Sequence, residues 1–300
     1  VSTSFPAYAA LRAGLWLGGL PPLALSRALG RGLGQLTCRL DARHRGIVLD
    51  NLRASFPERD EAWVQATARA CFTHLGQMAL EIPRLVSASP KAILARTRHY
   101  GLEHLETTRA KGRGVLLLTG HLGNWEWAAV ASGLVVGGAC LVARPLDWPP
   151  AERLVSYWRG KSGNSVVPKS RSARQLLSVL QRNGLVAALL DQNVDWYDGE
   201  WVELFGRPAC TNKGLALLAM RTKAPVLTYH NFRATDGVFD ICFGPEIPLV
   251  ESGDKTQDVW DNTQNFTRAL ENIIRQRPEQ WFWMHQRWKT KPFHLWPREH

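Results

Sequence analysis

The stretch GVLLLTGHLGNWEWAA, residues 114–129, sets His121 and Glu126 five residues apart. An imidazole beside a carboxylate is the pairing that general-base chemistry on an alcohol needs. A hydroxyl is a weak nucleophile at neutral pH, so a base must take its proton as it attacks. A carboxylate on one ring nitrogen fixes the tautomer and stabilises the imidazolium that forms, as the aspartate does in a serine protease triad. The spacing limits where such a pair can lie. Five residues of straight helix turn through about 500°, which splays the two side chains by about 140°. The pair therefore cannot sit inside one helix. Gly120 and Gly123 loosen the backbone on both sides of His121, and Asn124 is a good N-cap. The expectation is His121 in a strand-to-helix turn, with Glu126 in the first helical turn and reaching back to one ring nitrogen. The helix start at Asn124 would offer N–H groups to an oxyanion. The plainer alternative is a histidine that caps a turn, since an isolated H-x4-E arises often by chance.

The elements around this stretch read as an α/β fold, a mostly parallel central sheet flanked by helices. Residues 41–98 carry helical periodicity, with Val48, Leu52, Trp63, Ala66, Ala70 and Phe72 close to a 3.6 spacing. From Gly101 short apolar runs alternate with helical stretches. Strands are expected at 115–119, 140–143, 166–167, 185–190 and 226–230, with helices from about 124 and at 151–161, 172–181, 213–221 and 256–275. Residues 237–244, GVFDICFG, alternate as an edge or antiparallel strand, and the segment between 190 and 213 reads as a polar loop. Function gathers at the carboxyl ends of strands in such sheets. His121 lies just past one such end and Asp191 just past another.

The bulk numbers narrow the class. The 300 residues are 45% hydrophobic, enough for a sizeable core, and disorder is excluded on composition. Five cysteines without a C-x-x-C pair indicate neither a zinc site nor a disulfide framework, and a reducing compartment fits best. A net charge of +11 favours an anionic partner. The chain has 13 tryptophans, four of which (Trp281, Trp283, Trp288 and Trp296) fall in the last twenty residues, beside Arg287, Lys289 and Lys291. That mixture suits a membrane interface or a base-stacking platform, and core tryptophans beside a solvated basic face explain it equally well. The first 45 residues read as two apolar helices broken at Pro21-Pro22. Their longest charge-free run, residues 13–26, is shorter than the roughly 20 apolar residues a spanning helix needs. Interfacial attachment is expected in preference to spanning. The domain reading is 1–45 membrane-associating helices and 46–300 catalytic domain, the latter a helical lead-in at 46–98 and an α/β core at 99–300.

With these residues in hand, GHLGNWE after an apolar strand resembles the H-x4-D/E motif of the glycerolipid and lysophospholipid acyltransferase superfamily, in particular its bacterial lipid A biosynthesis (lauroyl/myristoyl) branch. ARPLDWP (143–149), LLDQN (189–193), LFGRPACTNKGLALLAMRTKAPVL (204–227), PEQWFWMHQRWKTKP (278–292) and NLRASFPE (51–58) resemble further blocks of that family, so the resemblance spans residues 51–292. It implies acyl transfer from a thioester, acyl carrier protein or coenzyme A, to a glycolipid hydroxyl, with the donor a substrate and no bound cofactor or metal. His121 would be the base and Glu126 its partner. Arg144 would hold a phosphate or polarise the thioester carbonyl; a surface arginine paired with Asp147 is its alternative. Asp191 and Gln192 would support His121 or bind the acceptor, two roles the sequence leaves open. Gly206, Thr211 and Gly214 would shape the acceptor pocket, unless they are ordinary turn and cap residues. Arg207, Lys213 and Arg221 would meet lipid phosphates or form a solvated basic face. The chain departs from the family in its weak N-terminal membrane helix. Glu in place of Asp at the end of the motif leans toward a lipid A precursor, with a lysophospholipid or a phosphatidylinositol mannoside as the other acceptors. The expected location is the cytoplasmic face of a bacterial inner membrane.

Other chemistries lack their motifs. No G-x-S-x-G, H-E-x-x-H, P-loop or strand-linked G-x-G-x-x-G occurs. A basic nucleic-acid-binding protein is the rival from another class, but its basic residues are dispersed and no recognition motif appears, so no nucleic-acid partner is expected.

Overall fold

The computed structural model describes residues 4–168 and 172–292. Six helices lead in: α1 (Ser4–Gly18), α2 (Leu23–Leu40), α3 (Ala42–Ser55), α4 (Glu61–Glu81), α5 (Arg84–Ser87) and α6 (Pro90–Leu94). The α/β part follows as β1 (Thr97–Tyr100), α7 (Leu102–Arg109), β2 (Val115–Thr119), α8 (Trp125–Val136), β3 (Cys140–Ala143), α9 (Pro149–Gly160), β4 (Ser165–Pro168), α10 (Ala173–Gln181) and β5 (Leu185–Leu189). A hairpin, β6 (Gly199–Leu204) and β7 (Arg207–Asn212), precedes α11 (Gly214–Thr222), β8 (Val226–Arg233), β9 (Phe239–Ile247) and α12 (Lys255–Gln276). Among the described residues the main sheet has seven strands in the order β1-β9-β8-β2-β5-β3-β4, parallel at every pairing except β8 with β9.

β2 is buried at all five positions, as a continuous apolar run at the centre of a parallel sheet should be. Its side chains alternate between two cores. Leu116 and Leu118 join Phe266 and Leu270 of α12 and the tryptophans near the C-terminus. Val115 and Leu117 join Trp127 and Val130 of α8 on the other face. Three of the C-terminal tryptophans, Trp281, Trp283 and Trp288, are buried in the first of these cores. They therefore serve neither a bilayer face nor a base-stacking platform; Trp296 lies outside the described residues.

Three elements differ from the periodicity. β1 lies where the sequence reads as the end of a helical region, and it makes β9 an internal strand, antiparallel to β8 but not an edge. The polar loop after β5 contains the β6–β7 hairpin, whose turn at Phe205-Gly206 has φ of 55° and 67°. Positive φ at both central residues matches the right-handed twist of a two-residue hairpin, so Gly206 is there for the turn.

The N-terminal helices divide at Pro21-Pro22 as expected. α2 lies so close on α4 that a Cβ on Gly34 would come within 2.1 Å of the Phe72 carbonyl oxygen. Its outer face carries Leu25, Leu29, Leu33, Leu36 and Leu40, all exposed. No helix among the described residues is long and apolar enough to cross a membrane.

Candidate active site

Register brings His121 and Asp191 together. Thr119 of β2 pairs with Leu189 of β5, and His121 and Asp191 each lie two residues beyond that pair. The His121 ring Nδ1–H donates to Asp191 Oδ1 at 2.9 Å. The same carboxylate's Oδ2 accepts from the His121 backbone N–H at 2.6 Å and from Trp281 Nε1 at 2.8 Å. Asp191 is fully buried. Burial would raise its pKa, but His121, its hydrogen bonds and His285 hold it well below the usual carboxylate range. Burial likewise acts to lower the His121 pKa, and the charge and hydrogen bond of Asp191, with a smaller contribution from Glu126, raise it overall. With Nδ1 protonated toward a fixed anion, Nε2 carries the lone pair, and the side chain is 19% exposed.

The turn that carries His121 has a partner for every backbone polar group. Phe282 N–H donates to His121 O, and Asn231 Nδ2 donates to Leu122 O. Gly123 N–H donates to Gln280 O, while Gly123 O accepts from His74 Nε2 at 3.1 Å. Asn124 N–H donates to Asn231 Oδ1. Gly123 itself has φ of 57°, and a Cβ there would meet Asn231 O at 2.3 Å, so no other residue fits the turn. Behind it Glu81, fully buried, accepts from Arg27, Arg233 and Asn124 Nδ2. His74 Nδ1 accepts from Arg233 Nη1. Burial, with Arg233 beside it, lowers the His74 pKa to about 3 and keeps the ring neutral.

Glu126 stands in the first turn of α8, after Asn124 as N-cap, where the spacing placed it. Its carboxylate, however, does not reach back to His121. It accepts from Trp158 Nε1 at 2.9 Å and from Arg159 Nε and Nη2 at 3.1 and 2.5 Å. The physical reason is competition. α8 carries Glu126 toward α9, whose guanidinium offers two parallel N–H groups, while β5 delivers Asp191 straight to Nδ1.

Near His121 a narrow apolar slot of about 70 Å³ runs between α8 and one face of the sheet. Thr119, Trp125, Glu126, Arg159 and Asn231 line one end, and Val136 and Ala139 the other. The Trp125 ring meets the His121 ring edge-on at 5.0 Å. Ala129, Ala143 and Ala187 keep the slot open between them. From Trp125 to Val136 the helix rises by about 16 Å, a length suited to a hydrocarbon chain.

The model of the bacterial lipid A biosynthesis acyltransferases matches residues 2–290. The chain belongs to that family. A lipid A biosynthesis lauroyltransferase of Escherichia coli K12 is 28% identical over 281 residues, 93% of this chain and 90% of the relative. A lipid A biosynthesis acyltransferase of Haemophilus influenzae is 23% identical over 290 residues, 93% and 88% of the two chains. A phosphatidylinositol mannoside acyltransferase of Mycobacterium tuberculosis is 33% identical over 135 residues, 43% and 42%. The protein is an acyltransferase.

The remaining predicted residues of this acyltransferase do not bond to the His121 ring. Arg144 extends from the end of β3 with 79% of its side chain exposed and pairs with Asp147 at 2.9 Å. It borders a second, larger groove with Gly214 and Arg221, on the opposite face of the sheet from the slot. Arg159 is instead the guanidinium whose charge is felt at His121. Asn124 is buried with Oδ1 capping Trp127 N–H and Nδ2 on Glu81, so it serves the turn and not an oxyanion. Thr211 is buried, donates to Ala209 O and accepts from Arg287. The Gly214 N–H is taken by Asn212 Oδ1 at the start of α11. These are turn and cap roles, and they overturn Thr211 and Gly206 as a pocket wall. Gln192 follows Asp191 and is exposed. Arg207 stacks on Trp288 with its Nη1 buried, and Lys213 pairs with Glu200.

Sequence reasoning did not single out Arg159, His74, Glu81, Asn231 or Gln280, and it left Trp281 open between an interface and the core. Glu81, Asn231 and His74 carry no local motif. Trp281 had one signal, its place in the 278–292 block, where Leu122 bridges to it in antiparallel fashion.

Proposed function

We propose that this acyltransferase moves a fatty acyl group from a thioester of acyl carrier protein or coenzyme A to a hydroxyl of a glycolipid, a lipid A precursor before other lipids. The observation that carries the proposal is the His121–Asp191 hydrogen bond, with the His121 ring against Trp125, which lines the apolar slot. The acyl chain lies in the slot with its thioester carbonyl near Trp125. His121 Nε2 takes the proton of the acceptor hydroxyl as that oxygen attacks the carbonyl. Asp191 stabilises the imidazolium across Nδ1. The oxyanion is met by the Trp125 and Glu126 N–H groups at the start of α8, the Trp127 N–H being held by the Asn124 cap, and by Arg159. Collapse breaks the C–S bond, and the leaving thiolate takes the proton back from Nε2. Glu126 positions Arg159 at the mouth. The leucine stripe of α2 rests on a lipid surface, and the net positive charge suits both an acidic carrier and anionic lipid.

The test is transfer of a radiolabelled acyl group from each donor to a lipid A precursor, a lysophospholipid and a phosphatidylinositol mannoside, with products read by mass spectrometry. His121→Ala should cut transfer by about 10²–10⁴-fold while leaving the fold unchanged. An unchanged rate in that variant refutes the mechanism. Transfer to one of the other two acceptors alone moves the protein to a different lipid.

A further inference from the structure

A third cleft, of about 620 Å³, opens between α2, α4 and the turn joining β8 to β9. Arg27 and Arg31 of α2 line it, with Gln77 of α4 and Arg233 and Thr235 from the end of β8. Its charge does not balance. Glu81 takes Arg27 Nε at 2.6 Å and Arg233 Nε at 2.9 Å on one oxygen, and Arg233 Nη2 and Asn124 Nδ2 on the other. One carboxylate with all its acceptor positions filled therefore faces two buried guanidinium groups. His74 adds no negative charge, since its ring is neutral. Arg27 Nη2 has no partner in the protein, although the side chain is nine-tenths buried. Arg31, one turn along α2, is exposed at the rim. Arg96 is near enough that its charge helps lower the Arg27 pKa, behind the larger effect of burial. The acids at the rim are engaged elsewhere: Asp236 with Arg98 and the Val238 N–H, and Glu279 with Arg277 at 4.0 Å.

A buried cation in excess, with an unused donor beside an open cleft, is a receptor for an anion. Guanidinium forks match a phosphate's oxygens in particular. The position narrows the bearer. Arg31 lies six residues from Leu25 and two from Leu29, on the flank of α2 away from the leucine stripe. With α2 resting on that stripe, the opposite flank stands about one helix diameter higher, among headgroups and not acyl chains.

We propose that this cleft binds the phosphate of a lipid headgroup through Arg27 and Arg31. The bearer is a bilayer phospholipid or a phosphorylated acceptor; only the second choice rests on the function proposed above. Because Arg27 and Asn124 share Glu81, a phosphate seated there also holds α2 against the turn that carries His121.

The test begins with thermal unfolding of the full chain in inorganic phosphate against chloride at equal ionic strength. Phosphate should raise the midpoint saturably, and Arg31→Glu should abolish the rise. Arg113→Glu, the same charge change at the other end of the sheet, should keep it. Arg27→Lys leaves a cation for Glu81 but removes the unpartnered nitrogen, and should weaken phosphate binding without unfolding the chain. Two further arms find the bearer. If it is bilayer phospholipid, Arg31→Glu lowers partition onto phosphatidylglycerol-containing vesicles by about tenfold or more relative to Arg113→Glu, with no change on phosphatidylcholine. If it is the acceptor, KM rises for a phosphorylated disaccharide glycolipid and not for its dephosphorylated form. Equal phosphate stabilisation in Arg31→Glu and Arg113→Glu overturns the site. Loss of phosphate binding with both lipid arms unchanged overturns the lipid headgroup and leaves an adventitious ion only. The phosphate and vesicle arms read binding, so they stand or fall apart from the acyl-transfer chemistry.

Discussion

Asp191→Asn separates the two carboxylates near His121 more sharply than any other change. Asp191 Oδ2 is pinned by two donors, the His121 N–H and Trp281 Nε1. An asparagine must turn its carbonyl toward those two, which leaves its NH2 facing His121 Nδ1. Two donors cannot face each other, so the ring shifts its proton to Nε2 and Nδ1 becomes the acceptor. The nitrogen that should receive the hydroxyl proton is then already protonated. Flipping the amide instead would set an NH2 against two buried N–H groups, at about 1–3 kcal/mol for each unmet donor. The corresponding aspartate-to-asparagine change in the Ser-His-Asp triad lowers kcat by about 10⁴ through the same wrong tautomer. The expected loss here is about 10³–10⁴-fold, or about 4–5.5 kcal/mol of barrier.

The assay is the initial rate of acyl transfer from about pH 5 to about pH 9. On the proposed mechanism wild-type activity needs neutral His121. It is lost as pH falls through the folded pKa of that ring, which Asp191 holds above 6.5. Removing the carboxylate's charge moves the acid limb of whatever activity remains to lower pH. Glu126→Gln should cost roughly tenfold and move the limb little, since its main partner is Arg159 and its effect on His121 acts at longer range. If Asp191→Asn stays within about tenfold of wild type, or if Glu126→Gln gives the larger loss and the larger shift, Asp191 does not orient the base.

Ala187→Leu, in the slot wall at the middle of β5, should shift preference from longer to shorter acyl donors; an unchanged ratio of kcat/KM across a chain-length series would show that the chain lies elsewhere. Leu29→Glu with Leu33→Glu should leave the melting temperature nearly unchanged, because both positions are exposed, and should strongly reduce partition onto vesicles; full retention would exclude α2 as the attachment face. Stability should fall on acidification. Burial holds His74 at about 3 and His230 at about 4, so below about pH 6.5 the unfolded chain takes up protons that the folded chain refuses. Each contributes about 2 kcal/mol of lost stability between about pH 7 and about pH 5. His121 acts in the opposite sense, because its raised pKa adds stability below 6.5 that is lost as pH rises through the folded value. Urea unfolding at the two pH values, with His74→Gln losing about one proton of the dependence, checks the sum.

Much of the α/β part was legible because parallel strands are short apolar runs bounded by turn residues. β2 and β3 fall on the runs read from sequence, and β5 ends one residue before its run does. β1 (TRHY) escaped because it has no apolar run: every other residue is exposed, and pairing with β9 alone makes it a strand. The hairpin escaped because its signal is a conformation, positive φ at Phe205, in a residue that seldom adopts it. The buried tryptophans were ambiguous in principle. An indole beside basic residues looks the same in sequence whether it faces lipid or core, and burial among Phe56, Phe205 and one another decided for the core.

The site shows what spacing can and cannot determine. Five residues between His121 and Glu126 required the helix to begin between them, and α8 does begin there. Spacing says nothing about which way a side chain turns, and that depends on partners remote in sequence. Seventy residues separate His121 from Asp191, and 33 separate Glu126 from Arg159. Only the register of β2 against β5 converts the first separation into a 2.9 Å contact. The same logic explains why so much machinery stands behind one turn. A base is effective only if its free nitrogen is already aimed, and six of the eight backbone carbonyls and N–H groups of residues 121–124 are tied to elements that arrive from elsewhere in the fold. His74 and Glu81 come from the N-terminal helices, and Gln280 and Trp281 from the C-terminal segment. The N-terminal helices are thereby part of the active site's framework: Arg27 of α2 stands two hydrogen bonds, through Glu81 and Asn124, from the turn. A perturbation that unseats α2 should reach His121 without touching it.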